Sequence, residues 1–254
     1  MIVAKWLKKL IKKKLKKGEA VCSAVVAAAG SSARMQGTNK LLAEIGGKPV
    51  LVHTLTALNK CREISEIIVV TREADLSTVA DLCSAYNISK MTKIVIGGKT
   101  RLESVYNGVM QVSPKAKLIA VHDGARPFLT DEIVSDTVEA ALKFNAAAPA
   151  VPVTSTIKLA EKGLVKKTID REWLYEVQTP QVFIAELLKG ALQNAVDKSL
   201  YITDDCMAVE AIGCRVKLTA GLRENIKLTT AADLEYAEAI LNARRNKNEN
   251  RSWL

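Results

Sequence analysis

A run of small residues, Val25-Val26-Ala27-Ala28-Ala29-Gly30-Ser31-Ser32-Ala33, leads into Arg34 and Met35 and, a few residues on, Lys40. Small side chains let the backbone come close to a ligand, and its N–H groups can cradle a phosphate or read a base edge. Two cations in the same loop suit a phosphate; a plain strand-to-helix turn with solvated charges is compatible with the same residues. The loop is not a Walker A motif, because no Gly-Lys-Ser/Thr closes it, and Gly30 alone does not make a dinucleotide fingerprint. Two further clusters carry charge beside glycine: Gly97-Gly98-Lys99-Thr100-Arg101 and His122-Asp123-Gly124-Ala125-Arg126. The two histidines, His53 and His122, form no cluster, which argues against a histidine-based metal site; nothing nearby in the sequence pairs with His53, which reads as packing or surface. Five scattered cysteines without a CxxC pair exclude a disulfide framework or a zinc ribbon and point to a reducing, cytoplasmic setting. Cys22 and Cys214, in strand-like runs, read as small core hydrophobes.

The elements that must position these clusters alternate in type. Residues 21–29 form a buried-strand run, 50–60 a helix, 67–71 a strand, 74–86 a helix, 93–96 a strand, 101–111 a helix and 118–121 a strand. Asp131 is placed to cap a helix reaching residue 144. Such alternation predicts βαβ units: an α/β fold, a Rossmann-like, mainly parallel sheet flanked by helices. Ligands of these sheets bind beyond the carboxyl ends of the strands, which is where all three clusters fall. Residues 153–160 and 164–169 break the pattern; with Glu161-Lys162-Gly163 between them they read as an inserted β-hairpin arm, reaching a second subunit or simply exposed. Helices at 184–196 and 204–212, a strand at 215–218 and a helix from Thr230, with Thr230 and Asp233 resembling a capping box, follow. The expected organisation is a basic amphipathic extension over 1–20, one domain over 21–243 with the arm at about 153–170, and a loose polar tail over 244–254.

The net charge is +10, but residues 1–17 contribute eight lysines and no acid, leaving the remainder near +2. The basic pI is therefore no sign of a nucleic-acid-binding fold. In the extension, Ile2, Val3, Trp6, Leu7, Leu10, Ile11 and Leu15 recur at helical spacing with lysines opposite. It is no secretory signal, since lysines interrupt any apolar core. It reads as a helix on anionic lipid, a solvated helix, a helix docked on the fold, or a start placed too far upstream.

The first loop resembles the AAGxGxRM…K signature of sugar-nucleotide pyrophosphorylase-like nucleotidyltransferases. The remaining clusters extend the resemblance in order: Gly97-Gly98-Lys99-Thr100-Arg101-Leu102-Glu103-Ser104-Val105, His122-Asp123-Gly124-Ala125-Arg126-Pro127, Val151-Pro152-Val153, Thr156-Ile157-Lys158, Asp170-Arg171, Gln178-Thr179-Pro180-Gln181, Thr203-Asp204-Asp205 and Asn225-Ile226-Lys227. Over about residues 21–242 the set resembles the methylerythritol-phosphate cytidylyltransferase family of non-mevalonate isoprenoid biosynthesis. Ser32, Asn39, Gly124 and Ser155 depart from its pattern.

The resemblance implies that CTP and a polyol phosphate give a CDP-alcohol and pyrophosphate. It implies Arg34, Lys40 and Lys227 as the catalytic cations at the attacked phosphate and leaving group, with Mg²⁺ bridging the triphosphate oxygens. Ala28, Ala29, Gly30, Gly97, Gly98, Arg101 and Ser104 would bind the nucleotide, and Asp123 the metal, the ribose or a substrate hydroxyl. Arg126 and Arg171 would grip the substrate phosphate, Thr179 and Thr203 would line the alcohol pocket, and Thr156 with Arg171 would complete the partner's site in a homodimer joined through the arm. For Thr203 capping of the next helix, and for Ser104 capping of its own, are the alternatives. Ribitol-5-phosphate cytidylyltransferase, molybdopterin guanylyltransferase and a catalytically silent, membrane-tethered CTP-binding protein are the rival readings; Lys158 favours the methylerythritol enzyme over the first.

Overall fold

The structure, a computed structural model, describes residues 21–30 and 40–251. The readings made above for residues 1–20, for 31–39 including Arg34, and for 252–254 lie outside the described residues.

The core of the fold is the apolar run β1 (Cys22–Ala27), flanked on both sides by parallel strands, β4 (Ile64–Thr71) and β6 (Leu118–Asp123). β1 carries side chains into both faces. Cys22, Ala24 and Val26 pack in one apolar layer with α1 (Val50–Lys60), and Val25 packs in the other with α3 (Arg101–Val109). A strand buried on both faces must be apolar throughout, which is why this one reads as a continuous run rather than an alternation. α3 lies close enough that a Cβ on Gly108 would stand 2.4 Å from Val70 and 2.6 Å from Val25. β5 (Met91–Ile96) forms the sheet's outer parallel strand, after α2 (Leu76–Ala85).

The second half departs from simple alternation. After α4 (Asp131–Phe144) comes β7 (Ala146–Pro152), a strand the pattern did not announce. Its sequence, AAAPAVP, has poor strand propensity, and burial of Ala146–Val151 between sheet neighbours overrides it. β10 (Tyr175–Val177) and β11 (Gln181–Ile184) both pair antiparallel with β7, and β11 also pairs antiparallel with β6. β12 (Lys217–Ala220) joins β7 in parallel. The eight-stranded sheet is therefore mixed, with its parallel portion, β6-β1-β4-β5, holding the loops of interest.

Several local expectations need correction. Thr130, not Asp131, caps α4: its Oγ1 accepts from Ile133 N, while Asp131 sits in the first turn where the helix dipole favours an acid. The arm is β8 (Ile157–Glu161) and β9 (Leu164–Ile169), joined by the two residues Lys162 and Gly163 at φ 51° and 80°, as a primed hairpin turn requires. Asp204 caps the short helix α6 (Asp205–Glu210), which follows α5 (Ala185–Asp197). The tail is not loose where it begins: α7 (Ala231–Arg251) runs through it, and Arg244 is bonded to Glu224 and to the carbonyl of Phe128. At its start Asp233 accepts from the N–H groups of Thr229 and Thr230. Two short strands, β2 (Glu44–Ile45) and β3 (Lys48–Pro49), make a hairpin between the first loop and α1. Among the described residues no helix is long and apolar enough to cross a membrane.

Candidate active site

The carboxyl ends of β1, β5 and β6 open into one cavity of about 480 Å³. Its floor is the β1 exit, Ala27, Ala29 and Gly30, locked to the sheet by Ala28 N–H donating to Val70 O at 2.7 Å and Gly124 N–H to Ala27 O at 3.0 Å. One wall is the amino end of α3. Thr100 caps it by accepting from Glu103 N–H, and Glu103 Oε2 accepts from Lys99 N–H at 2.7 Å. Ser104, nearly buried, donates to Thr100 O at 2.8 Å and accepts from Gly98 N–H at 3.0 Å, so its hydroxyl fixes the Gly97–Gly98 turn. There is no room for a side chain in that turn: a Cβ on Gly97 would lie 2.5 Å from Ala29 and 2.8 Å from Ser104 Oγ.

The electrostatic centre is Asp123, at the end of β6. Lys227 Nζ lies 3.0 Å from its carboxylate, Arg126 Nε 3.3 Å and Arg101 Nη2 4.0 Å. Burial would raise this carboxyl, but Lys227, Arg101 and Arg126 together outweigh burial and hold it at about 2. Asp123 is therefore ionised, yet surrounded: the cavity wall presents Lys40, Lys99, Arg101 and Lys227 against this one carboxylate. Such a mouth attracts a polyanion.

Behind Asp123 runs a buried chain of hydrogen bonds. Asp123 N–H donates to Thr179 Oγ1, and Thr179 Oγ1 lies 2.9 Å from His122 Nδ1. His122 Nε2 lies 3.3 Å from Arg126 O, which requires the proton on Nε2 and leaves Nδ1 to accept. Full burial, only partly opposed by the Asp123 carboxylate, brings His122 down to about 4. It is neutral and fully occupied, a brace and not a base. Arg101 is held from the other side by Asp205, with bonds of 3.0 and 2.7 Å. Burial raises the Asp205 carboxyl and the Arg101 guanidinium offsets it only in part. Gln181 fixes Asp205 in turn, accepting from the N–H groups of Asp205 and Cys206.

Of the residues singled out from sequence, Ala29, Gly30, Lys40, Gly98, Arg101, Ser104, Asp123 and Lys227 line the cavity together. Ala28 and Gly97 lie directly behind, their N–H groups already bonded to Val70 O and Thr71 O. Arg126 is turned inward, onto Asp123 and the carbonyl of Asn225 at 2.7 Å. Thr179 does not face the cavity: it is 4% exposed, and the chain to Asp123 and His122 takes its hydroxyl. Thr203 is exposed beside Met207 and is not the cap of α6. Thr156 and Arg171 are exposed at the base of the arm, where Arg171 donates to Thr154 O. Sequence reasoning gave no role to Asp205, Gln181, Gln178 or Asn225, although all four fall inside motifs it quoted.

The family profile for 2-C-methyl-D-erythritol 4-phosphate cytidylyltransferase matches residues 22–243. Among curated relatives, the protein of that name from Halalkalibacterium halodurans is 43% identical over 220 residues, 86% of this chain and 96% of the relative. The one from Caldanaerobacter subterraneus subsp. tengcongensis is 43% identical over 222 residues, 86% of this chain and 98% of the relative. Among solved structures, 4-diphosphocytidyl-2C-methyl-D-erythritol synthase from Anaerococcus prevotii superposes with a TM-score of 0.80 at 32% identity, covering 88% of this chain and 97% of the other. The cytidylyltransferase from Thermus thermophilus gives 0.71 at 31% identity, covering 87% and 98%.

Proposed function

This chain belongs to the 2-C-methyl-D-erythritol 4-phosphate cytidylyltransferase family, and we propose that the cavity around Asp123 is where its reaction takes place. The enzyme is a nucleotidyltransferase of non-mevalonate isoprenoid biosynthesis. It moves a cytidylyl group from CTP to 2-C-methyl-D-erythritol 4-phosphate, giving the CDP-alcohol and pyrophosphate. The observation that carries the assignment to this cavity is the meeting of Lys227, Lys40 and the amino end of α3 around one buried, ionised carboxylate.

The nucleophile is a phosphate oxygen of the substrate. A phosphomonoester has a second pKa of about 6 and is largely dianionic at neutral pH, so no enzyme base is needed. The obstacle is repulsion between that dianion and the triphosphate. Catalysis then consists of positioning and of fixed positive charge where negative charge develops. Lys227 and Lys40 supply that charge at the α-phosphate and the departing pyrophosphate, and the family signature adds Arg34, six positions before Lys40 in the sequence. Asp123 orients Lys227, and Arg101 is fixed by Asp205 at the cavity wall. Gly98 and Ser104, with Ala29 and Gly30 lining the same cavity, form the seat for the pyrimidine, and Ala28 and Gly97 back it.

The donor set fits Mg²⁺ as an ion carried by the nucleotide. Among the described residues no three acidic, histidine or cysteine side chains gather to cage a metal, and Asp123 is the one carboxylate on the cavity wall. Asp123 would hold it beside the phosphates. When bound, Mg²⁺ offsets triphosphate charge.

The arm supports a homodimer. Both its strands are exposed nearly throughout, including Leu164 at 76% and Val165 at 60%, and Trp173 beyond it is exposed at 76%. An isolated two-stranded ribbon is marginal in water, so this apolar surface calls for a cover. A second copy provides one and lets Thr156 and Arg171 reach the substrate phosphate in the neighbouring cavity. Residues 1–17 would add weak contact with anionic lipid through their eight lysines; vesicle binding that survives their deletion would remove that reading. The five free cysteines, all buried, suit a cytoplasmic protein.

The test is pyrophosphate release with each of CTP, UTP, ATP and GTP, offering methylerythritol phosphate and ribitol 5-phosphate separately. CTP with methylerythritol phosphate should give the highest kcat/KM. A preference for ribitol phosphate or for another nucleotide would overturn the assignment.

A further inference from the structure

Helix α7 touches the segments next to three cations near the site, Lys40, Arg126 and Lys227, and it does so from outside the cavity. Its Glu238 accepts from Gly46 N–H at 2.6 Å and its Arg245 donates to Gly46 O at 3.3 Å, gripping the tip of the β2–β3 hairpin that follows Lys40. The next contact is denser. Arg244 Nε donates to Glu224 Oε2 at 2.9 Å, its Nη2 donates to Phe128 O at 3.2 Å, and its guanidinium stacks 5.1 Å over the Phe128 ring. Phe128 follows Arg126 by two residues, and Glu224 precedes Lys227 by three.

These two loops are already joined nearer the cavity. Leu228 N–H donates to Ala125 O at 2.9 Å, Arg126 donates to Asn225 O at 2.7 Å, and Lys227 meets Asp123 at 3.0 Å. Arg244 closes the ladder at its outer end. Phe128 belongs to the small apolar cluster of Ile45, Val50, Leu228, Ala237 and Ile240, so the two loops, the hairpin and the helix share one packing unit. Arg244 is also the first residue past the segment that the family profile matches.

We infer that Arg244 is a positioning residue for cytidylyl transfer: it holds the Lys227 loop against the Asp123–Arg126 loop, so that Lys227 meets the reacting phosphate in register. The inference rests on Lys227 acting at that phosphate. A guanidinium suits the task, because its planar fork bonds two acceptors while its face covers an aromatic ring.

The experiment compares Arg244→Ala, Lys227→Ala and the double variant in the full-length protein, reading amide hydrogen exchange alongside steady-state kinetics. Arg244→Ala should speed exchange at Leu228 and Arg126, whose amides bond across and within the two loops, while α2 stays protected. It should lower kcat about tenfold with little change in the KM for CTP, the signature of a displaced and not a deleted cation. In the Lys227→Ala background the same change should cost no further turnover. Unchanged exchange, unchanged kcat, or losses that multiply in the double variant would each overturn the inference. If Lys227→Ala alone turns over like wild type, the assignment of Lys227 falls, and exchange still decides whether Arg244 orders the loops. Should Arg244→Ala fail to fold, Glu224→Gln cuts the same ladder and carries the same test.

Discussion

Replacing Lys227 with alanine separates the two things this side chain does. Its ammonium pairs with Asp123 at 3.0 Å, but 39% of the side chain is exposed, so the screened pair contributes only about 0–1 kcal/mol to folding. Nor should its loss protonate Asp123. That carboxyl starts at about 2, and Arg126 at 3.3 Å and Arg101 at 4.0 Å remain beside it. The structural cost is therefore small. If Lys227 acts as proposed, the catalytic cost is that of one preorganised charge at the reacting phosphate, about 3–4 kcal/mol in the barrier, or a hundredfold to a thousandfold in kcat. Pyrophosphate release at saturating CTP and methylerythritol phosphate would measure it, with a urea titration as control. The expected result is a kcat at least about a hundredfold down, a KM for CTP within about threefold, and an almost unchanged midpoint. A variant that keeps more than about a tenth of wild-type turnover would refute the reasoning, as would a loss of activity matched by a loss of stability.

Three further outcomes are expected from the proposed reaction and from the buried groups behind it. Lys40→Ala and Arg34→Ala should each depress kcat by at least about a hundredfold in the same assay; near-normal turnover in either would mean the first loop does not meet the phosphates. Inactive Arg171→Ala and inactive Lys227→Ala protein, mixed so that subunits exchange, should regain about a quarter of wild-type activity, since half the dimers are mixed and each has one intact site; mixtures that exchange yet stay dead would exclude a shared site. Stability should also fall in mild acid. His122 titrates near 6.5 when unfolded and at about 4 when folded, so its neutral form stabilises the fold above 6.5 and that stability, about 3 kcal/mol, drains away as pH falls toward 4. Asp123, held at about 2, adds a loss of the same sign below its unfolded 3.8. Urea midpoints from pH 7 to 4 would show the His122 step, and His122→Asn should flatten it; a wild-type profile with no step would contradict a buried neutral imidazole.

What the sequence made legible depended on whether a residue's role was local. The helix over residues 50–60 and the strand run behind the first loop could be read because continuous apolar patterns dictate them. β7 could not: alanine and proline look like a poor strand until neighbours on both sides bury them. The site divided in the same way. The cations of the cavity followed from motif resemblance, and Asp123 with them. The Arg101–Asp205 pair spans 104 positions and no pattern announces it. Thr179 was read as a pocket residue because a hydroxyl in a motif looks alike in sequence whether it faces a ligand or braces a carboxylate. Only the distances to Asp123 N and His122 Nδ1 separate those roles. Arg244 was assigned to a polar tail for the reverse reason, since a charged residue near a terminus carries no sign that it stacks on a buried phenylalanine.

The most direct test of the central claim is a crystal structure with CTP bound, since the claim is that one cavity gathers base, triphosphate and catalytic cations. The account predicts the pyrimidine against the Gly97–Gly98 turn and Ser104, with the α-phosphate within ion-pair distance of Lys40 and Lys227. CTP seated elsewhere, or in this cavity with its α-phosphate turned away from both lysines, would contradict it.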